Sequence, residues 1–191
     1  AKVGTIVPLY REENKYYIDE SNLDNLVFLD NGTQFVITSE KSGYMHLYLY
    51  DLNGRERQAI TKGNFDIIDF YGYDPVRKLF YYSSYEESPL EKYIYSINEK
   101  GLKKKLTPVK GWNEASFSKN FNYYINVVSN TDTPPVTALY NAKGKQVRVL
   151  EDNKAVKEAV KAYNLAKPEF IQIPAADGKT MLNAWIMKPV N

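Results

Sequence analysis

Three stretches of this chain resemble one another: LYLYDLNGRERQAITKG, YIYSINEKGLKKKLTPVKG and TALYNAKGKQVRVLEDN. Each holds an aromatic strand-like run, a glycine-containing turn, a basic stretch and an aliphatic end. Tyr50, Tyr95 and Tyr140 mark equivalent points 45 residues apart, and Gly54, Gly101 and Gly144 mark the turns. A unit of ~45 residues with about four short strands has the length of a β-propeller blade, whereas leucine-rich and ankyrin repeats are shorter and contain helices. A two-sheet sandwich also holds many short strands but has no need of self-similarity. One small sheet cannot remove both its faces from water, so such units must stack against each other.

Local patterns agree with that reading. Alternating runs occur at Leu26 to Leu29, Gln34 to Thr38, His46 to Leu52, Lys78 to Ser84 and Lys92 to Ile97. They continue with EASF, NYYINVVS, VTALY and QVRVL. Asp30-Asn31-Gly32-Thr33 and Asn53-Gly54 are hairpin signals between runs. Tyrosine, with 17 copies against 8 phenylalanines, suits a pleated surface that is half buried, because the ring packs while the hydroxyl stays wet. We therefore expect three blades, at about 24–65, 66–112 and 113–150, with residues 1–23 supplying strands of an earlier blade. Beyond Leu150 the period changes. Val156, Ala159, Val160 and Tyr163 share one face of a helix expected over 151–167, capped by Asp152 or Asn153 and stopped at Asn164 before Pro168. Residues 168–191 read as a hairpin around Ala176-Asp177-Gly178-Lys179. The fold class is mainly β: a partial propeller, a linker helix and a β-hairpin.

Composition excludes several functions. With 25 basic and 23 acidic residues, the net charge of +2 gives no case for nucleic acid or an anionic membrane. Without cysteine there is no disulfide, thiolate metal site or cysteine nucleophile. No run approaches the ~20 apolar residues of a membrane helix. No signal peptide is visible at the N-terminus. Both ends read as strand, so a segment of something longer is expected.

Spread through these units is a resemblance to the dipeptidyl peptidase IV branch of the prolyl oligopeptidase family of serine peptidases. It rests on Ser39-Glu40-Lys41-Ser42-Gly43-Tyr44 with His46 and Tyr48, then Ile60-Thr61-Lys62-Gly63, Ser88-Pro89, Tyr95, Leu106-Thr107 and Phe117-Ser118. The strongest pieces are Leu150-Glu151-Asp152-Asn153, Glu169-Phe170, and Leu182 with Ala184-Trp185-Ile186-Met187 and Pro189. The resemblance implies an eight-bladed propeller joined to an α/β-hydrolase domain, with this chain covering the end of the one and the first strands of the other. It implies a parent that releases N-terminal dipeptides from peptides with Pro, or less often Ala, at the second position. It also implies no cofactor, a peptide as partner, and a periplasmic or extracellular setting. The serine elbow G-x-S-x-G, which in α/β-hydrolases precedes the acid and the histidine, is absent from these residues. The family's acyl-pocket tyrosine would lie beyond this stretch and its amine-binding glutamates in an earlier insertion. No catalytic residue and no metal ligand is therefore assigned here. A propeller interaction module without chemistry, and a same-family exopeptidase of other specificity, stand as alternatives. A homodimer is a further expectation, because open blade faces need covering by a second copy or by the C-terminal helix and hairpin.

The tempting residues read as structural. His46 lacks a serine on a strand–elbow–helix and is expected to bond backbone or a neighbouring tyrosine. Glu12-Glu13 is read as a solvated turn despite the charge-assisted bonds such a pair gives an ammonium group. Lys103-Lys104-Lys105, with Lys100, is read as a lysine-guarded edge strand aiming side chains to both sides. Asp66, Asp69 and Asp74 lack the glycine and bidentate glutamate of an EF-hand. Trp112 and Trp185 are assigned to packing, and Pro134-Pro135 to a turn before an outer strand.

Overall fold

The structure is a computed structural model that describes residues 4, 8–20, 25–29, 32–163 and 165–189. Three antiparallel meanders of four strands follow one another. The first comprises β1 (Val27–Phe28), β2 (Gln34–Ser39), β3 (His46–Asp51) and β4 (Glu56–Ala59). The second comprises β5 (Ile67–Asp74), β6 (Leu79–Ser88), β7 (Glu91–Ile97) and β8 (Lys103–Lys105). The third comprises β9 (Trp112–Phe117), β10 (Tyr123–Asn130), β11 (Thr133–Asn141) and β12 (Gln146–Glu151). A single parallel bridge, Lys92 opposite Trp112, ties the second sheet to the third. This is a partial β-propeller. After it come α1 (Lys154–Ala162) and a hairpin of β13 (Glu169–Pro174) and β14 (Met181–Ile186).

The repeat is anchored by side-chain oxygens at the outer hairpins. Asp51 Oδ1 accepts the amides of Asn53 and Arg55 at 2.9 and 3.1 Å. Asn98 Oδ1 does the same for Lys100 and Leu102, and Asn141 Oδ1 for Lys143 and Lys145. In each turn the following glycine, Gly54, Gly101 or Gly144, sits at φ 72, 79 or 78°. That left-handed position is where glycine escapes the Cβ clash. These anchors lie 47 and 43 residues apart, so the spacing of 45 between the tyrosines is a coincidence of two unequal loops. Tyr50 and Tyr140 each precede their anchor by one residue, and the position matching them in the second sheet is Ile97, not Tyr95. Tyr95 matches Tyr48 and Ala138.

The inner hairpins share a second left-handed position, occupied by Gly32, Lys78 and Phe121 at φ 58, 55 and 54°. The flanking Asp30 and Asn31 lie outside the described residues. Lys78 is exposed and no ion pair or hydrogen bond holds its ammonium group among the described residues. Lys78→Gly should therefore stabilise the protein by about 0.5–1 kcal/mol, the usual left-handed penalty less glycine's extra chain entropy. A rise in the urea midpoint at constant m-value checks it.

Sheets stack face to face. Val36, Leu47, Leu49 and Ile60 of the first pack against Phe80, Tyr82, Tyr93, Tyr95 and Ile97 of the second. On its other face the second sets Tyr81 and Ile94 against Tyr124, Ala138 and Tyr140 of the third. Phe35, Ile37, Tyr48 and Tyr50 on the remaining face of the first sheet are covered by Leu9 and Tyr10. Residues 8–20 form no strand, yet Leu9 takes the place that Leu106 takes two units later. Its carbonyl oxygen lies 2.7 Å from where a methyl group on Gly54 would sit, and the Leu106 oxygen lies 2.8 Å from the same point on Gly144. Burial follows this stacking: β2, β3 and β7 are buried almost throughout and β6 from Phe80 to Ser84, while β10 alternates.

Of the two covers expected for the open faces, the helix and hairpin do not reach the free face of the third sheet. No residue of α1 is buried, and its stripe of Val156, Val160 and Tyr163 is exposed. The cause is local. Asn153 is left-handed at φ 47° and makes no side-chain cap; its Nδ2 donates instead to the Pro135 carbonyl at 2.5 Å. Asp152 Oδ1 accepts the Lys154 amide, and Lys167 pairs with Asp132 at 2.6 Å. These contacts hold the segment at the β10–β11 end of the sheet. Asn164 lies outside the described residues. Pro134 and Pro135 lie inside β11, the third strand of its sheet, not in a turn. They occupy its start, where the pairing with β10 skips from Asn130–Thr133 to Val128–Val136 and asks nothing of the missing N–H groups.

Candidate functional site

The first strand of each meander begins at the same end of the stack. There a cleft of about 370 Å³ opens between the units. Asn25 before β1, Asp66 to Ile68 at the start of β5, and Trp112 at the start of β9 line it, with Glu40, Met45 and Tyr85 from neighbouring strand ends. It is a product of stacking, since three successive units each contribute a wall. Asp66 is held by Met45 N–H to Oδ1 at 2.6 Å and by Tyr85 O–H to Oδ2 at 2.8 Å. Burial, then the bond to Asp66, raises the Tyr85 hydroxyl pKa, so the phenol keeps its proton and donates.

Behind Trp112 lies a buried cation. Lys92 on β7 is 5% exposed. Its Nζ is 3.2 Å from Asp69 Oδ2, 3.6 Å from Glu114 Oε1 and 4.9 Å from the Trp112 ring centre. Asn113, fully buried, donates from Nδ2 to the Lys92 carbonyl at 2.9 Å and accepts from Asn126 at 2.8 Å. Trp112 Nε1–H donates to Glu114 at 3.2 Å. The indole is thus fixed from behind and 41% exposed in front. Sequence reasoning assigned Trp112 to packing and missed Lys92 altogether. The available signal was a lysine at a position whose counterpart in the next turn of strand, Ile94, faces the core.

The other candidates are placed apart from each other. His46 is buried, with Nδ1 3.0 Å from the Thr61 hydroxyl and Nε2 3.0 Å from the Gly63 carbonyl. Both ring nitrogens are occupied, and Phe65 stands edge-on to the ring. Glu12 is half buried and accepts from Tyr10 O–H at 2.6 Å and Ser39 O–H at 2.7 Å, which straps residues 8–13 to the first sheet. Glu13 pairs with Arg11 in solvent. Lys103 and Lys105 bind Glu86 and Glu87 on one side of β8, while Lys104 donates to the Lys143 carbonyl on the other. Asp69 binds Ser83 and Lys92, and Asp74 caps a turn by accepting from Val76 and Arg77 amides. The three aspartates do different structural work and do not converge. Trp185 is exposed on the hairpin, opposite Phe170.

The dipeptidyl peptidase IV N-terminal region, as a family, matches residues 1–135. The chain belongs to that family. A probable dipeptidyl peptidase 4 of Aspergillus flavus is 30% identical over 173 residues, which is 83% of this chain and 22% of that protein. Dipeptidyl peptidase 4 of Trichophyton rubrum is also 30% identical, with the same coverage. The crystal structure of Porphyromonas gingivalis dipeptidyl peptidase 4 superposes with a TM-score of 0.88 at 41% identity, over 95% of this chain and 26% of that one. The chain therefore spans about a quarter of the dipeptidyl peptidases it matches. Within this family the cleft, Lys92 and Trp112 belong to the propeller, and the hairpin beyond residue 168 follows it.

Proposed function

We propose that these residues form one wall of the enclosed cavity of a serine exopeptidase that releases N-terminal dipeptides from peptides with Pro, or less often Ala, at the second position. The observation that carries this is the match to Porphyromonas gingivalis dipeptidyl peptidase 4 along 95% of the chain at 41% identity. The wall's work is steric. Rigid aromatic cores hold the units, and the units restrict access to slender peptide ends. The nucleophile, acid and base are placed in the longer protein. Serine attack, a histidine base and an oxyanion hole would give an acyl-enzyme that water resolves. On this reading β13 and β14 open the α/β-hydrolase domain. The hairpin supports it: Phe170, Trp185 and Met181 on one face, and Ile171, Ile173 and Leu182 on the other, are all exposed here. A ribbon apolar on both faces is built to be sandwiched in a larger sheet.

The full-length protein is expected to turn over a glycyl-prolyl chromogenic substrate and to lose that activity when the serine of its G-x-S-x-G is replaced by alanine. Residues 1–191 alone should show no turnover. An intact serine, acid and histidine with no cleavage of glycyl-prolyl or glycyl-alanyl substrates would overturn the dipeptidyl assignment.

A further inference from the structure

We propose that the cleft at the start of β5 and β9 holds a lysine or arginine side chain of a peptide substrate, on the C-terminal side of the released dipeptide. This rests on the peptidase reading above and adds to it a charge preference and the residues that set it. The cleft is amphipathic in the manner of such a side chain. Ile68 and Trp112 present apolar surface, 38% and 41% exposed, along which an aliphatic stem can lie. Among the described residues the lining contains two carboxylates, Glu40 and Asp66, and no lysine, arginine or histidine. Asp66 is held by an amide and a phenol, both neutral donors, and its charge has no counter-ion among the described residues. Glu40 is exposed and makes no ion pair among the described residues. Lys92 is already set between Asp69 and Glu114 behind the indole. Around the cleft four carboxylates thus face one ammonium, a field that attracts a cation and repels an anion. The second face of the indole adds a cation–π attraction for a guanidinium or ammonium group that reaches it.

The test uses the full-length protein and the peptides Gly-Pro-X-Gly and Gly-Pro-Gly-X, with X lysine, norleucine or glutamate. The ratio of kcat/KM for lysine over norleucine isolates the charge, because the two side chains share a stem. It is internal to each variant, so partial misfolding does not distort it. The ratio is expected at about 5-fold for one of the two positions, as for a partly screened ion pair, and should fall at high salt. Glu40→Gln should bring it toward one, and Glu40→Lys should turn the preference to glutamate. Trp112→Leu should lower kcat/KM for lysine and norleucine peptides together. A ratio near one at both positions in the unsubstituted protein, or a ratio indifferent to Glu40→Gln and Glu40→Lys, overturns the proposal. Fluorescence anisotropy with labelled, cleavage-resistant lysine and norleucine peptides separates the two readings. Lysine-selective binding without turnover of any peptide would defeat the peptidase and keep the cleft. Turnover without lysine selectivity would do the reverse.

Discussion

Gly111→Ala is expected to cost at least about 3 kcal/mol, a large fraction of the stability of an ordinary domain. Gly111 lies where the chain passes from the outer strand of the second sheet to the inner strand of the third. Its φ is 135°, far from the left-handed well that asparagine or aspartate tolerates. A methyl group there would overlap the Ser129 carbonyl oxygen and press on the Asn130 Cβ. Neither can swing aside, since Ser129 pairs with Trp112 across β9 and β10. Moving Gly111 instead would pull its own carbonyl from the Lys92 amide, 3.1 Å away. It would also undo the bridge that joins the two sheets and loosen the clasp around Lys92.

Gly101→Ala supplies the comparison. Gly101 also has positive φ, at 79°, but nothing lies within 4 Å of the added methyl group. It should cost only about 1 kcal/mol, the left-handed penalty alone. Urea unfolding followed by tryptophan fluorescence measures both, and Trp112 reports directly on the seam. Equal losses for the two variants would mean that overlap at Gly111 relaxes freely and that the seam is not rigid.

The architecture was legible in the sequence because repetition and turn chemistry are both local. Gly54, Gly101 and Gly144 mark true equivalents, since each turn needs a residue without Cβ at one fixed offset from its Asp or Asn anchor. The tyrosines misled by two residues in the second sheet, because Tyr93, Tyr95 and Ile97 alternate onto one buried face and the period of two does not say which of them matches Tyr50. β5 went unread for a different reason. Asp69 and Gly72 interrupt its apolar run, and its pairing with β6 shifts twice. The cleft was not legible at all. Asn25, Glu40, Asp66, Tyr85 and Trp112 are far apart in the chain and meet only when three units stack. Lys92 looked like the polar start of a strand, because a sequence does not say that a lysine will be enclosed by the next unit's carboxylate and indole. The helix failed to cover the open face for a reason that a stripe of apolar residues cannot reveal: its direction is set by a left-handed Asn153 and two contacts to the β10–β11 end.

Phe121 should show an inverted order of substitutions. Its φ of 54° is a conformation that costs a bulky residue about 1 kcal/mol or more. The ring repays this by entering the core between the second and third sheets. It stacks on Tyr81 at 5.0 Å with 4° between the planes, lies 5.6 Å from Phe117, and fills the space left by the absent side chain of Gly72. Phe121→Ala loses that packing and keeps the strain, so a loss of about 3 kcal/mol is expected. Phe121→Gly loses the same packing and sheds the strain, so its loss should be smaller, about 2 kcal/mol, although glycine is the poorer residue in almost any other setting. Gly72→Ala, which sets a methyl group 3.0 Å from the Phe121 ring edge, should be relieved in part when combined with Phe121→Ala. Unfolding free energies of the three single variants and the pair decide the matter. Were glycine worse than alanine at 121, the backbone there would be unstrained, and the aromatic core would owe nothing to the hairpin that delivers its ring.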